Sequence, residues 1–265
     1  MTTIKKIKFM VPIMVLCICC FGFLLIPNDP FQVNLMHRLA ASSSQYPLGT
    51  DLLGRCTLSR LLYGGRTTIG IVLLGCSLVL FLGVIIGLVI SKNNQRNDVV
   101  YESVLNSITA IPPIAYLIIF IGAWGNGIFT MTIAITISLL LRLIKLVKTR
   151  AEVELRKAYV YCAMTSGAGR IRILFWHVLP NIIADVIEFV CLSCADMILA
   201  IVGFSFIGLG LGDNVMDWGT MVSESYHLIQ INPFLTYYPI ICIFISTLCF
   251  HVLGRTISSG GQQNA

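Results

Sequence analysis

Apolar positions along this chain gather into blocks of roughly 20 residues, the length a helix needs to cross the hydrocarbon core of a membrane. Six blocks approach or exceed that length: Phe9–Ile26, Thr67–Ile90, Val100–Trp124, Ile128–Val147, Ile182–Leu211 and Phe234–Leu253. Open strands are excluded at that depth, because lipid cannot satisfy their backbone groups. The pattern predicts an all-α, polytopic protein with six transmembrane helices. The fifth block is long enough to tilt or bend, and Gly203, Gly208, Gly210 and Gly212 mark a break at its far end. Ile111-Pro112-Pro113 interrupts the third block and predicts a kink, since proline removes a donor and clashes with the preceding turn. Gly83 and Gly87, four apart, would let the second helix approach a neighbour closely.

Composition supports the same class. Charged residues make up 11% and apolar residues 57%, with a mean hydropathy of +0.88, where soluble domains carry about 25% charged residues. The net charge of +6 is clustered beside the apolar blocks, so it reads as membrane topology rather than nucleic-acid binding. With the N-terminus inside, fourteen of the eighteen basic residues are cytoplasmic: Lys5, Lys6, Lys8, Lys92, Arg96, Arg142, Lys145, Lys148, Arg150, Arg156, Lys157, Arg170, Arg172 and Arg255. Only Arg38, Arg55, Arg60 and Arg66 are left outside, as the positive-inside rule expects. Both termini are then cytoplasmic. The first block ends in Ile26-Pro27-Asn28-Asp29-Pro30 without a small-x-small cleavage site, which favours an uncleaved span over a signal peptide. Most of the ten cysteines lie within apolar runs, where a free thiol acts as a small hydrophobe.

The polar interruptions hold the candidate chemistry. Outside, Tyr46–Thr68 reads YPLGTDLLGRCTLSRLLYGGRTT. Leu52, Leu53, Leu58, Leu61 and Leu62 approximate a helical stripe opposite Arg55, Ser59 and Arg60, predicting an amphipathic helix that Gly64-Gly65 stops before the second span. Inside, Lys157–Pro180 reads KAYVYCAMTSGAGRIRILFWHVLP. One helix is expected over Val153–Ala163, then a tight turn at Gly167 and Gly169, with Pro180 ending the following segment. Such a short helix could lodge in a groove of a soluble partner, with Ala163, Gly167 and Ala168 small enough for close approach. The chain divides into residues 1–66 (first helix and external segment), 67–256 (a five-helix core with its cytoplasmic loop at 148–180) and a cytoplasmic tail, 257–265.

Ionisable residues inside spans are costly and mark pathways. Asp185 and Glu188 sit near the cytoplasmic end, placed to snorkel or to pair with Arg170 or Arg172; Asp196, followed by Met197, is deeper and is the pathway candidate. Cys242, Cys249 and His251 offer soft donors, but no span shows zinc-type ligand spacing, and no metal ligand is assigned. Gly210-Leu211-Gly212-Asp213 matches the GxGD pattern of intramembrane aspartyl proteases. That chemistry needs a second Asp on a neighbouring span, and Asp196 is on the same predicted helix, so the reading is rejected.

Two motifs carry a family resemblance. Ala163, Gly167, Leu179 and Pro180 fall at the spacings of the Glu-Ala-Ala-x3-Gly-x9-apolar-x-Leu-Pro signature by which ABC importer permeases dock on their ATPases. Tyr161 and Cys162 stand where that signature has Glu and Ala, and His177 replaces the apolar residue. Outside, Leu48-Gly49-Thr50-Asp51, Gly54-Arg55, Ser59-Arg60-Leu61, Gly64 and Arg66 resemble a signature of the dipeptide, oligopeptide and nickel permeases. Leu199–Asp213, LAIVGFSFIGLGLGD, and Asp217-Trp218-Gly219 are similar to stretches of the same family.

The resemblance implies the type I ABC importer permease fold and a plasma-membrane location. Its implied partners are a homologous permease subunit, two ATP-binding subunits and an extracytoplasmic solute-binding protein. It implies no cofactor on this chain, with ATP and Mg2+ used by the partner subunits. The chain has no GxxxxGK[ST] phosphate loop and is not an enzyme alone. Ser166-Gly167-Ala168-Gly169, Asp196-Met197 and the missing Glu at Tyr161 look more like the nickel branch than the peptide branch. The expected cargo is nickel or a metal chelate, with di- or oligopeptide as the alternative. A channel or ion-driven transporter working without an ATPase is the rival class.

Overall fold

The computed structural model describes residues 3–91, 103, 106–212 and 215–261. Among them the helices are α1 (Thr3–Phe21), α2 (Thr57–Ile90), α3 (Pro113–Trp124), α4 (Ile128–Leu155), α5 (Ala158–Thr165), α6 (Leu179–Phe206), α7 (Trp218–Ser225) and α8 (Phe234–Gly261). A helical turn at Arg170–Arg172 and a π-helical turn at Ile173–Val178 lead straight into α6. Five described helices are long and apolar enough to cross a membrane: α1, α2, α4, α6 with its preceding turns, and α8.

The third apolar block departs from expectation. A residue before proline is held out of the α region. Pro112 accordingly has ψ 145° and serves as the N-cap of α3, which starts at Pro113, where a missing N–H costs nothing. The expected kink is a break, and α3 keeps only 12 residues, about 18 Å of rise. Residues 100–102, 104 and 105 of that block, with Lys92 and Arg96 before it, lie outside the described residues.

Helix α2 corrects a second expectation. It runs without interruption for 34 residues through Gly64-Gly65, so those glycines end nothing. Leu52 and Leu53 precede it in a turn. The glycines are instead points of close approach. A methyl group at Gly65 would stand 2.7 Å from the Cys19 carbonyl oxygen, and one at Gly64 would stand 3.3 Å from the Asp217 carbonyl carbon. Further along α2, Gly75 faces Met197, Gly83 faces Leu143 and Gly87 faces Val147, each at 2.7 Å or less. The expected tight approach at Gly83 and Gly87 is therefore the α2–α4 contact. Ile69, Val72, Val79 and Leu88 of α2 are buried against Met131, Leu143 and Val147 of α4 and Ile198 and Ile201 of α6.

Contacts define two ends of the bundle. Cys19 in the last turn of α1 and Gly22 just after it meet Gly65 and Leu62 near the start of α2, and Ser223 of α7 donates to the carbonyl of Phe206, the last residue of α6. These elements share what we call the extension end. Arg170 donates to the Val89 and Ser91 carbonyls at 3.0 and 2.8 Å. The end of α2 and the approach to α6 therefore share the opposite, loop end. Gly254 in α8 packs on Glu188, which brings the last turns of α8 toward the loop end as well. Residues 257–261 continue α8, while 262–265 lie outside the described residues.

Two candidate functional sites at opposite ends of the bundle

At the extension end the chain folds on itself around Asp51. Asp51 Oδ1 accepts from the Leu53 and Arg55 amides, both at 2.9 Å, and Oδ2 accepts from Arg55 Nε at 2.7 Å and from Arg60 Nη1. Both arginines also reach Glu224 of α7, at 2.6 Å from Arg55 and 2.8 Å from Arg60. Two carboxylates thus face two guanidiniums, and the Arg60 side chain is only 4% exposed. Arg60 was expected on a wet helical face; the structure buries it, because an ion pair with this many charge-assisted bonds can leave water. Arg60 and Thr57 help line a cavity of about 230 Å³ beside the cluster, and Arg60 Nε and the Thr57 hydroxyl are buried without protein hydrogen-bond partners.

The other motif residues are backbone devices. Gly49 and Gly54 have φ of +74° and +71°, and a methyl group at Gly54 would collide with the Asn34 carbonyl oxygen. Thr50 Oγ1 accepts from the Ala40 amide at 2.8 Å and donates to the His37 carbonyl. Leu48 is half-buried, and Arg66 stays exposed, stacked 4.4 Å from the Phe23 ring, so it stands apart from the cluster. Trp218 closes the assembly: its indole donates to the Leu61 carbonyl at 3.0 Å, and its ring lies against Gly64 and Gly65. Asp217 caps α7 by accepting from the Gly219 and Thr220 amides in a capping box. Burial pushes the Asp217 carboxyl above its ordinary pKa, with those hydrogen bonds opposing the shift. Glu224, which completes the cluster, was missed; the available signal was an acidic last segment complementary to the arginines of the first. Asp213 lies outside the described residues.

At the loop end, Val153–Ala163 is not one helix. Helix α4 ends at Leu155 and α5 starts at Ala158, with Lys157 in extended conformation between them. Helix α5 ends in a Schellman motif: the Ala168 amide donates to the Ala163 carbonyl at 3.1 Å and the Gly167 amide to Met164 at 3.0 Å. Gly167, at φ +84°, is the left-handed residue that this cap requires. The spacing from Ala163 to Gly167 is therefore the geometry of a helix end. Val160 is the buried residue of α5. Tyr161 (48% exposed) and Cys162 face outward at the Glu-Ala positions of the motif, with Met164 beside them and Ala168 half-buried.

Leu179 and Pro180 begin α6 rather than ending a segment. The Leu179 amide reaches five residues back to Leu174, so the π-helical turn shifts the hydrogen-bond register just ahead of the proline that cannot donate. Asp185 pairs with Arg150 at 2.9 Å. Arg170, one partner expected for it, holds the end of α2 instead.

The two pathway candidates separate. Asp196 is exposed on α6, whereas Met197 is 1% exposed and packed on Gly75. Met197 is therefore a core residue of this chain. Asp196 is ten residues before Phe206, about 15 Å along the helix, which is deep within the span. Cys249 is buried, Cys242 half-buried and His251 exposed. Among the described residues no three His, Cys, Asp or Glu side chains are placed to hold a metal ion together.

This architecture has relatives. The sequence profile of the binding-protein-dependent transport system inner membrane component matches residues 79–260. The nickel transport system permease protein NikC of Escherichia coli K12 is 29% identical over 232 residues, covering 88% of this chain and 84% of NikC. The peptide transport system permease protein SapC of Salmonella typhimurium LT2 is 30% identical over 250 residues, covering 91% of this chain and 83% of SapC. The oligopeptide transport system permease protein OppC of Bacillus subtilis 168 is 26% identical, covering 99% and 84%. The MetNI methionine ABC transporter in inward-facing form superposes with a TM-score of 0.61 at 15% identity, over 76% of this chain and 96% of that one, a likeness of fold. The chain belongs to the family of binding-protein-dependent inner membrane transport components. It is a permease subunit of an ABC importer, a class whose partners are ATPase subunits.

Proposed function

We propose that this subunit forms half of the translocation pathway for nickel or a nickel chelate, beside a homologous permease. Two ATP-binding subunits would sit at the loop end and an extracytoplasmic solute-binding protein at the extension end, with the loop end and both termini cytoplasmic. The observation that carries the cargo reading is Asp196, a carboxylate on the open face of α6 deep in a span. An ionisable group there is stable only against another subunit or a watered path, and its negative charge favours a cation. The likeness to NikC supports the same choice. Peptide import is the second reading, favoured by the SapC and OppC relatives. Expressed with its partner subunits, the transporter accumulates radiolabelled nickel, and Asp196→Asn lowers that accumulation. Peptide uptake without nickel uptake decides for the second reading.

The exposed face of α5 is the ATPase docking surface in this proposal. ATP binding closes the ATPases and moves α5, turning an inward-facing cavity outward; hydrolysis resets it. Gly167→Asp is expected to leave the protein in the membrane but to uncouple transport, because Asp tolerates a positive φ better than most residues while adding a charge to an open surface. Normal uptake and normal ATPase association in that variant would sink the docking role.

A further inference from the structure

Helix α5 has eight residues and a single buried side chain, Val160. Apolar packing alone leaves so short an element free to tilt when its outer face is pulled. A polar knot beside it supplies the missing attachment. The Tyr159 hydroxyl donates to Glu154 Oε1 at 2.8 Å, lies 3.2 Å from the His177 carbonyl oxygen, and accepts from Asn181 Nδ2 at 2.9 Å. Asn181 Nδ2 also donates to the His177 carbonyl at 2.7 Å, and Lys157 Nζ pairs with Glu154 Oε2 at 2.8 Å. Glu154 belongs to the last turn of α4, Tyr159 to α5, and His177 and Asn181 to the π-helical turn and first turn of α6. One phenol therefore ties together the three elements that meet at the loop.

We infer that Tyr159, with Glu154 and Asn181, is a positioning residue for coupling: it makes α5 and the starts of α6 and α4's last turn move as one lever. This inference rests on the docking role proposed for α5. The motif's Glu is absent here, and Tyr161 in its place points outward. The lever's internal fastening comes from Tyr159, two residues earlier. Burial, with the Glu154 carboxylate, pushes the Tyr159 phenol up to about 12. Its proton therefore stays in place at physiological pH, and the contribution is lost only as pH rises from the ordinary tyrosine value through about 12.

The test uses the assembled transporter in vesicles, reading solute imported per ATP hydrolysed and the fraction of hydrolysis that depends on the solute-binding protein. Tyr159→Phe and Asn181→Ala are expected to retain their ATPase subunits on purification yet to import about tenfold less solute per ATP, with hydrolysis becoming independent of the binding protein. Glu154→Gln keeps the acceptor and should stay within about twofold of the parent. An unchanged solute-to-ATP ratio in both disrupted variants overturns the inference. Should Tyr159→Phe fail to assemble, Asn181→Ala, which removes one exposed amide, decides alone. Tyr161→Lys with Met164→Glu, on the outer face of α5, is the separate control: retained ATPase subunits there would sink the docking role itself.

Discussion

The extension end and the loop end are fastened in opposite ways. At the extension end, four charged groups from three segments are interlocked, Trp218 is wedged against two glycines, and a methyl group added to Gly54 or Gly65 would strike backbone. At the loop end, α5 buries one side chain, its cap glycine has nothing within 4 Å, and tyrosine, methionine and tryptophan side chains stand in the open. The difference teaches how a moving part is built. The anchored end interlocks four charged groups across three segments, whereas the loop keeps an apolar face uncovered and fastens α5 by the Tyr159 hydrogen bonds and the Lys157–Glu154 pair.

Substitutions can break this contrast. The largest effect is expected from Arg60→Leu, which removes the more deeply buried of the two guanidiniums on Asp51 and leaves both carboxylates to Arg55 alone, at a cost of about 3 kcal/mol. Arg66→Leu, removing an exposed stacked cation, should cost under about 1 kcal/mol. Equal melting temperatures for the two purified variants in detergent would erase the distinction. Next comes Gly65→Ala, where contact with the Cys19 carbonyl at 2.7 Å and the Trp218 ring at 3.0 Å forces repacking worth about 1–3 kcal/mol. The matching change at the loop end, Gly169→Ala, meets nothing within 4 Å at φ −68° and should stay within about 0.5 kcal/mol.

Asp217→Ala removes the α7 cap and should cost about 1 kcal/mol. Because burial raises the Asp217 pKa, this group's contribution is present below the unfolded carboxyl pKa and declines as pH rises through the folded value. Asp217→Asn, which keeps the acceptor, should flatten that part of a melting-temperature-against-pH profile. Smallest for stability is Tyr161→Ala, expected within about 0.5 kcal/mol, while ATPase subunits should be lost on purification.

Much of the architecture was legible because it follows from local rules. Long apolar blocks mark α1, α2, α4, α6 and α8, and Gly167 and Gly208 fall where Schellman caps demand a positive φ. Gly64-Gly65 misled because a glycine pair looks the same whether it ends a helix or admits a neighbour; the positions of Cys19 and Trp218, distant in sequence, distinguish the two. The break between α4 and α5 has no glycine or proline to announce it, and Lys157 and Tyr159 bind back to Glu154 across it. Glu224 was hidden by 169 residues of separation from Arg55. Asp196 was readable as unusual, whereas the burial of Met197 depends on the absent side chain at Gly75.

Asp196 also bears on how such a subunit is made. A chain inserted alone carries that carboxylate on an outer face of α6, at a cost of about 2.5–3.5 kcal/mol against lipid. In the proposed assembly, that cost is relieved when a second permease covers the face or a watered path forms beside it. Subunit pairing would then add to the stability of α6 itself, because the contact that covers Asp196 also takes its charge out of lipid.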